Sequence, residues 1–123
     1  MAKSINWSSQ FLQAVQSEPQ QLPYIALRLG ALYYDNQYWV PDEVVDIRVN
    51  NEVIRKGQVV APVRLTTIGA LTSTEFEQLK SPLKTVTAVI DYLQQTYQPD
   101  EPITEQTVIT VVEYINLDFV LAD

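Results

Sequence analysis

Two hydrophobic rhythms run along this chain, one of period two and one of helical period, and they divide it into short elements. Ile25, Leu27 and Leu29 alternate with Tyr24, Ala26 and Arg28, which predicts a strand with two distinct faces. Val45, Ile47 and Val49 alternate in the same way, with Asp46 and Arg48 on the outward side. A third run sets Val59, Ala61, Val63 and Leu65 against Val60, Pro62, Arg64 and Thr66. Gly69 breaks it, and Thr72-Ser73-Thr74-Glu75 follows in capping-box order, predicting a short helix near 73–80. Ser81-Pro82 then supplies an N-cap residue and a first-turn proline. Leu83, Val86, Ile90, Leu93 and Tyr97 form one apolar stripe behind it, so a helix is expected over 82–97. Thr107 to Leu117 is apolar on both faces and reads as a central closing strand, while Asp118 to Asp123 is too short to assign.

At the other end, Trp7, Phe11, Ala14 and Val15 share one helical face, predicting a helix over 5–17 that Pro19 ends. Asp35-Asn36-Gln37, between Leu32-Tyr33-Tyr34 and Tyr38-Trp39-Val40, predicts a tight hairpin, because Asp and Asn tolerate left-handed turn conformations. Asn50-Asn51 and Lys56-Gly57 read as further turns. Short strands at intervals of about ten residues suit a small barrel or sandwich. The expected architecture is a single α+β domain over residues 1–123. Its core is a five- or six-stranded, mostly antiparallel β-barrel over about 22–117, flanked by two or three helices.

Composition narrows the chemistry. The 123 residues include no cysteine and no histidine. Disulfides, thiolate zinc sites, thiol nucleophiles and Ser-His-Asp triads are therefore excluded. What remains is carboxylates, tyrosines and lysines, with no spacing that assembles a catalytic site, so the chain reads as non-catalytic and without cofactor. The net charge of −7 opposes non-specific nucleic-acid binding, which relies on surplus Lys and Arg. No apolar run has the length of a signal peptide or a membrane span, so a cytoplasmic protein with no membrane partner is expected.

In its order of pieces the chain resembles the ASCH domains of the PUA-like superfamily, over roughly residues 22–117. The carrying segments are Ile25-Ala26-Leu27-Arg28, Gly57-Gln58-Val59-Val60 and Ile68-Gly69-Ala70-Leu71-Thr72 with Glu75 and Phe76. Leu93 to Tyr97 and Val108 to Tyr114 complete the pattern. The resemblance implies a PUA-like barrel and RNA or nucleotide binding. Some family members are amidohydrolases of modified cytidine, which use a Lys and a Thr just ahead of the Arg. Aligned on Arg28, this chain has Pro23 and Ala26 there, so the resemblance does not carry that activity over.

Three binding chemistries are then open. Arg28 beside Tyr24 offers a planar donor for a phosphate or a base edge, and its competing role is an ion pair with an acidic residue. Tyr33, Tyr34, Tyr38 and Trp39 gather aromatic surface on the expected hairpin, suited to base stacking or to a protein interface. The candidate ligand-binding set is accordingly Tyr24, Arg28, Tyr34, Tyr38, Trp39 and Arg64. The alternative is an acidic protein-interaction module using the Tyr/Trp hairpin. A further one is calcium held by Asp35, Asp42, Glu43 and Asp46, although their spacing is not that of an EF-hand. Glu113, within an apolar strand, is either an outward residue or a buried acid.

Overall fold

The computed structural model describes residues 3–119. Its element order is β1 (Ser4–Trp7), a 3₁₀ turn (Ser9–Phe11), α1 (Leu12–Ser17), β2 (Pro23–Leu29), α2 (Leu32–Asp35), β3 (Val44–Val49) and β4 (Glu52–Val59). After these come β5 (Arg64–Thr67), a second 3₁₀ turn (Ile68–Ala70), α3 (Ser73–Gln78), α4 (Val86–Tyr97) and β6 (Val108–Phe119). The end of the unassigned tail, residues 120–123, lies outside the described residues.

The expected α+β class with a mostly antiparallel sheet is what the chain forms. The six strands run β1-β3-β4-β6-β2, with β5 also on β6. Among the described residues, only the β1–β3 pair is parallel. β6 is the central strand: β2 follows it from Ile109 to Ile115, and β5 and then β4 take turns along its other edge. Its doubly apolar run is the cause, since Ile109, Val111, Val112 and Tyr114 are all buried. Glu113 is half-buried, opposite Ile25.

The sheet stays open, which corrects the expected barrel. Among the described residues its end strands, β1 and β2, share no ladder. Instead the Arg28 side chain crosses the gap from β2 and donates to the Asn6 carbonyl of β1 at 2.9 Å.

Other boundaries differ from expectation for local reasons. The predicted helix over 5–17 splits, because Ile5 and Trp7 are buried and Asn6 is exposed, a period-2 pattern that pairs with β3. Phe11 and Val15 keep the helical spacing and pack into the core. The Tyr33–Trp39 hairpin does not form. Leu32–Asp35 makes one helical turn, closed by Asn36 N–H to Leu32 O at 3.0 Å, and Gln37 takes a φ of 48°.

The Lys56-Gly57 turn is the middle of β4. The run from Val59 to Thr66 is not one strand, because residues 60–63 loop between β4 and β5. The helix expected over 82–97 starts at Val86, where the Thr85 hydroxyl accepts from the Ala88 N–H at 3.1 Å. The Thr72/Glu75 capping box forms as expected, with both reciprocal hydrogen bonds. So does the Asn50-Asn51 turn, both residues having positive φ. Among the described residues no helix is long and apolar enough to cross a membrane.

Candidate functional site

The gap between β1 and β2 is a cleft of about 440 Å³, within the size range of small-ligand sites. β1 contributes Ser4, Asn6 and Trp7 to it, and β2 contributes Leu27 and Arg28. Tyr33, Tyr38 and Trp39 form one wall, and Tyr92, Thr96 and Tyr97 of α4 form the other.

Arg28 is fixed at the base of this cleft. One terminal nitrogen donates to the Leu27 carbonyl at 2.8 Å and the other to Asn6 at 2.9 Å. The guanidinium lies 5.8 Å from the Trp39 ring, within cation–π range. Among the described residues no carboxylate pairs with it. Two of its five N–H donors go to carbonyls, which leaves charge and donors for a guest. The ion pair that competed for Arg28 at the level of sequence is thus absent from the described residues.

The aromatic wall is a packed cluster. Tyr33 stacks on Trp39 at 4.8 Å and 16°, and Tyr38 meets both rings edge-on at 5.2 and 5.0 Å. Trp39 is only 2% exposed, and its indole N–H donates to Ser4 O at 3.3 Å. The sequence left open whether Trp39 faces water, and at 2% exposure the indole belongs to the core. One edge of it still borders the cleft, while Tyr33 and Tyr38 are half-buried there.

The rest of the predicted set is dispersed. Tyr34 points away from this cleft, on the outer side of α2, and is 42% exposed. Tyr24 packs beside Tyr114, their centroids 6.4 Å apart, and faces the Lys80 ammonium. Arg64 pairs with Glu75 of α3. The four acids of the calcium alternative are not gathered either. Asp46, expected to face outward, is buried and pairs with Lys56 and with Arg48 at 3.7 Å, while Glu43 pairs with Lys3 at 3.2 Å. Among the described residues no group of three or more acids could hold a metal.

No family model matches the chain, and no curated protein matches it. One likeness among solved structures stands out. The chain is similar to protein EF3133 from Enterococcus faecalis V583, which carries the family designation DUF984. The TM-score is 0.53 and the identity 9%, over 89% of this chain and 66% of that one. This chain therefore spans just under two thirds of that protein's length. The likeness shows the fold alone.

β1 and α4 bring to the cleft residues outside the predicted binding set. Asn6 and Trp7 reach the cleft only because the first segment is a strand at the end of the sheet. Tyr92 and Thr96 are one turn apart on α4, so they share a face beside the buried Val89–Leu93 stripe. That i, i+4 relation was visible in the sequence. What it faced was not.

Behind the cleft lies a buried polar group. Lys80, 3% exposed, donates to the Tyr114 hydroxyl at 2.6 Å, pairs with Glu18 at 3.1 Å and sits 4.1 Å from the Trp7 ring centre. Burial lowers the Lys80 pKa to about 8 although Glu18 opposes the shift. Burial, reinforced by Glu18, raises the Tyr114 hydroxyl well above its ordinary value. Arg55, 1% exposed, donates to the carbonyls of Val15, Glu18 and Leu117 at 2.8–2.9 Å, closing the C-terminal end of α1. These residues hold the N-terminal segment that walls the cleft.

Proposed function

We propose that the chain is a small, non-catalytic binding module that takes one nucleotide, free or as an unpaired nucleotide of an RNA, in the β1–β2 cleft. The observation carrying this reading is Arg28, a carbonyl-anchored cation without a carboxylate among the described residues, set against an aromatic wall. A guanidinium so placed can accept a phosphate or a base edge while Tyr33, Tyr38 and Tyr97 contact the ring. The ASCH and PUA-like resemblance of the sequence supports the same ligand class.

Electrostatics favours one nucleotide over an extended strand. Lys3, Arg48, Lys56, Arg64 and Lys80 each pair with an acid, Arg55 is buried, and Lys84 is held by the carbonyls of Phe76, Glu77 and Leu79. They form no positive track of the kind that follows a phosphate backbone.

Trp7 and Trp39, the chain's two tryptophans, both border the cleft, so their fluorescence reports its occupancy. Titration with the four ribonucleoside monophosphates and with a short single-stranded RNA should quench or shift that emission saturably, and Arg28→Ala should weaken the response by about tenfold or more. No response to any of these up to millimolar ligand rejects the reading.

A further inference from the structure

Trp39 has a second side. Away from Arg28 it borders another groove, of about 460 Å³, with Tyr34, Val40, Pro41 and Pro62 as walls and Asp35 and Gln37 at the rim. The one-turn helix α2 sends Tyr33 inward onto Trp39 and leaves Tyr34 outward. Tyr34 and Val40 are 42% and 47% exposed, so the walls are apolar surface resting on a rigid aromatic cluster.

The polar groups around this groove are uncommitted. Among the described residues the Tyr34 hydroxyl and the Gln37 carboxamide make no hydrogen bond, and Asp35 and Asp42 make no ion pair. Asp42 follows Pro41 directly and is exposed.

We propose that this groove docks an extended, proline-containing segment of a partner protein that carries Lys or Arg beside its prolines. Proline rings fit flat against an exposed tyrosine such as Tyr34, and a polyproline helix is already ordered before it binds. Its carbonyls have no internal partners, and the Tyr34 hydroxyl and Gln37 amide are donors of the kind they require. Asp35 and Asp42, on a chain of net charge −7, attract a basic flank and repel an acidic one. The same carboxylates disfavour a phosphate backbone. They also disfavour a second copy, which would set Asp35 and Asp42 against their own like. This site shares the Trp39 side chain with the Arg28 cleft but none of its polar groups, and it does not rest on nucleotide binding there.

Fluorescence anisotropy of a fluorescein-labelled proline-rich decapeptide bearing two arginines, titrated with the full chain, tests the proposal. Saturable binding that weakens with salt is expected. Replacing the prolines by alanine, or the arginines by glutamate, should weaken it about tenfold or more, as should Tyr34→Ala or Asp35→Lys. Thermal unfolding of Tyr34→Ala should match the parent, since that side chain is largely outside the core. Arg28→Ala should leave peptide binding unchanged while weakening the nucleotide response, so the two sites fail or stand separately. Absence of binding to any arginine-bearing peptide at millimolar protein overturns the proposal, as does equal binding of the alanine-substituted peptide. Self-association of the chain that Tyr34→Ala abolishes also overturns it, by giving the groove to a second copy.

Discussion

The Lys80 ammonium lies 3.1 Å from the Glu18 carboxylate, and its side chain has no exposure to water. Tyr24 of β2, Tyr114 of β6 and Trp7 of β1 surround it, with the positive charges of Arg55 and Lys84 also acting on it. A lysine held this way makes stability depend on pH in a defined window. Burial favours the neutral amine, so folded Lys80 releases its proton near pH 8, whereas the unfolded chain keeps it to about 10.5. Between those values the unfolded state binds more protons, and stability rises with pH. That contribution is lost as pH falls through 8. Tyr114 acts in the opposite sense above pH 10, because the unfolded chain can ionise it and the folded chain resists. Urea unfolding should therefore show stability rising by about 2 kcal/mol from pH 8 to 10, then falling. Lys80→Met should flatten the rise. A rise of equal size in the Met variant would refute the assignment to Lys80.

Trp39→Ala should unfold or severely destabilise the chain rather than act only on a ligand. The indole is 2% exposed, stacked on Tyr33, crossed by Tyr38 and bonded to Ser4 O. Truncating such a side chain costs about 3–5 kcal/mol, a large part of a small domain's stability. Trp39→Phe keeps an aromatic ring and should lose less. Chemical denaturation of both variants checks the order.

Much of the sheet was legible because its strands obey the period-2 rule on their own, as in Tyr24–Leu29 and Val45–Val49. The capping box at Thr72 was legible for a similar reason, since both of its partners lie within four residues. The N-terminal segment was misread because 7, 11 and 15 satisfy a helix while 5 and 7 satisfy a strand, and pairing with β3 decided between them. The aromatic segment failed differently. Asp35-Asn36-Gln37 suits a hairpin turn or the end of a helical turn equally, and packing of Tyr33 onto Trp39 chose the latter. Of the site, Arg28, Tyr38 and Trp39 could be named from sequence, but the opposite wall depends on α4 crossing the sheet gap. No local pattern encodes that crossing.

Gly57→Ala should destabilise the sheet although Gly57 sits in an ordinary strand. A Cβ there would lie 2.8 Å from Ile47 Cδ1 and 3.2 Å from the Ile115 carbonyl. Ile47 is fully buried and the carbonyl is backbone, so neither yields freely. The expected loss is about 1–3 kcal/mol, the usual scale of overpacking. Ile47→Val deletes the nearer clashing atom and should recover part of it when combined with Gly57→Ala. If the loss in the double variant equals the sum of the two single losses, the Ile47 Cδ1 contact is not the source of the strain.

Arg28 separates structural from binding roles most sharply. Its bond to Asn6 O is the tie across the open end of the sheet, so Arg28→Ala should cost about 1 kcal/mol of stability. The fold should survive, because the side chain is only half-buried and the core around Ile25 and Leu27 is untouched. Nucleotide affinity should fall by about 1.5–3 kcal/mol, the worth of hydrogen bonds from a charged donor. Arg28→Lys sharpens the comparison. A lysine restores the charge as a point, but it cannot hold Leu27 O and Asn6 O with two arms of one plane and still present donors to the cleft. Lys should therefore bind a nucleoside no better than Ala does, whether or not it regains part of the affinity for the monophosphate. Tryptophan-fluorescence titrations of nucleoside and monophosphate against the three proteins measure this directly. Full recovery of nucleoside binding by Lys would mean that the planar fork is not what the cleft uses.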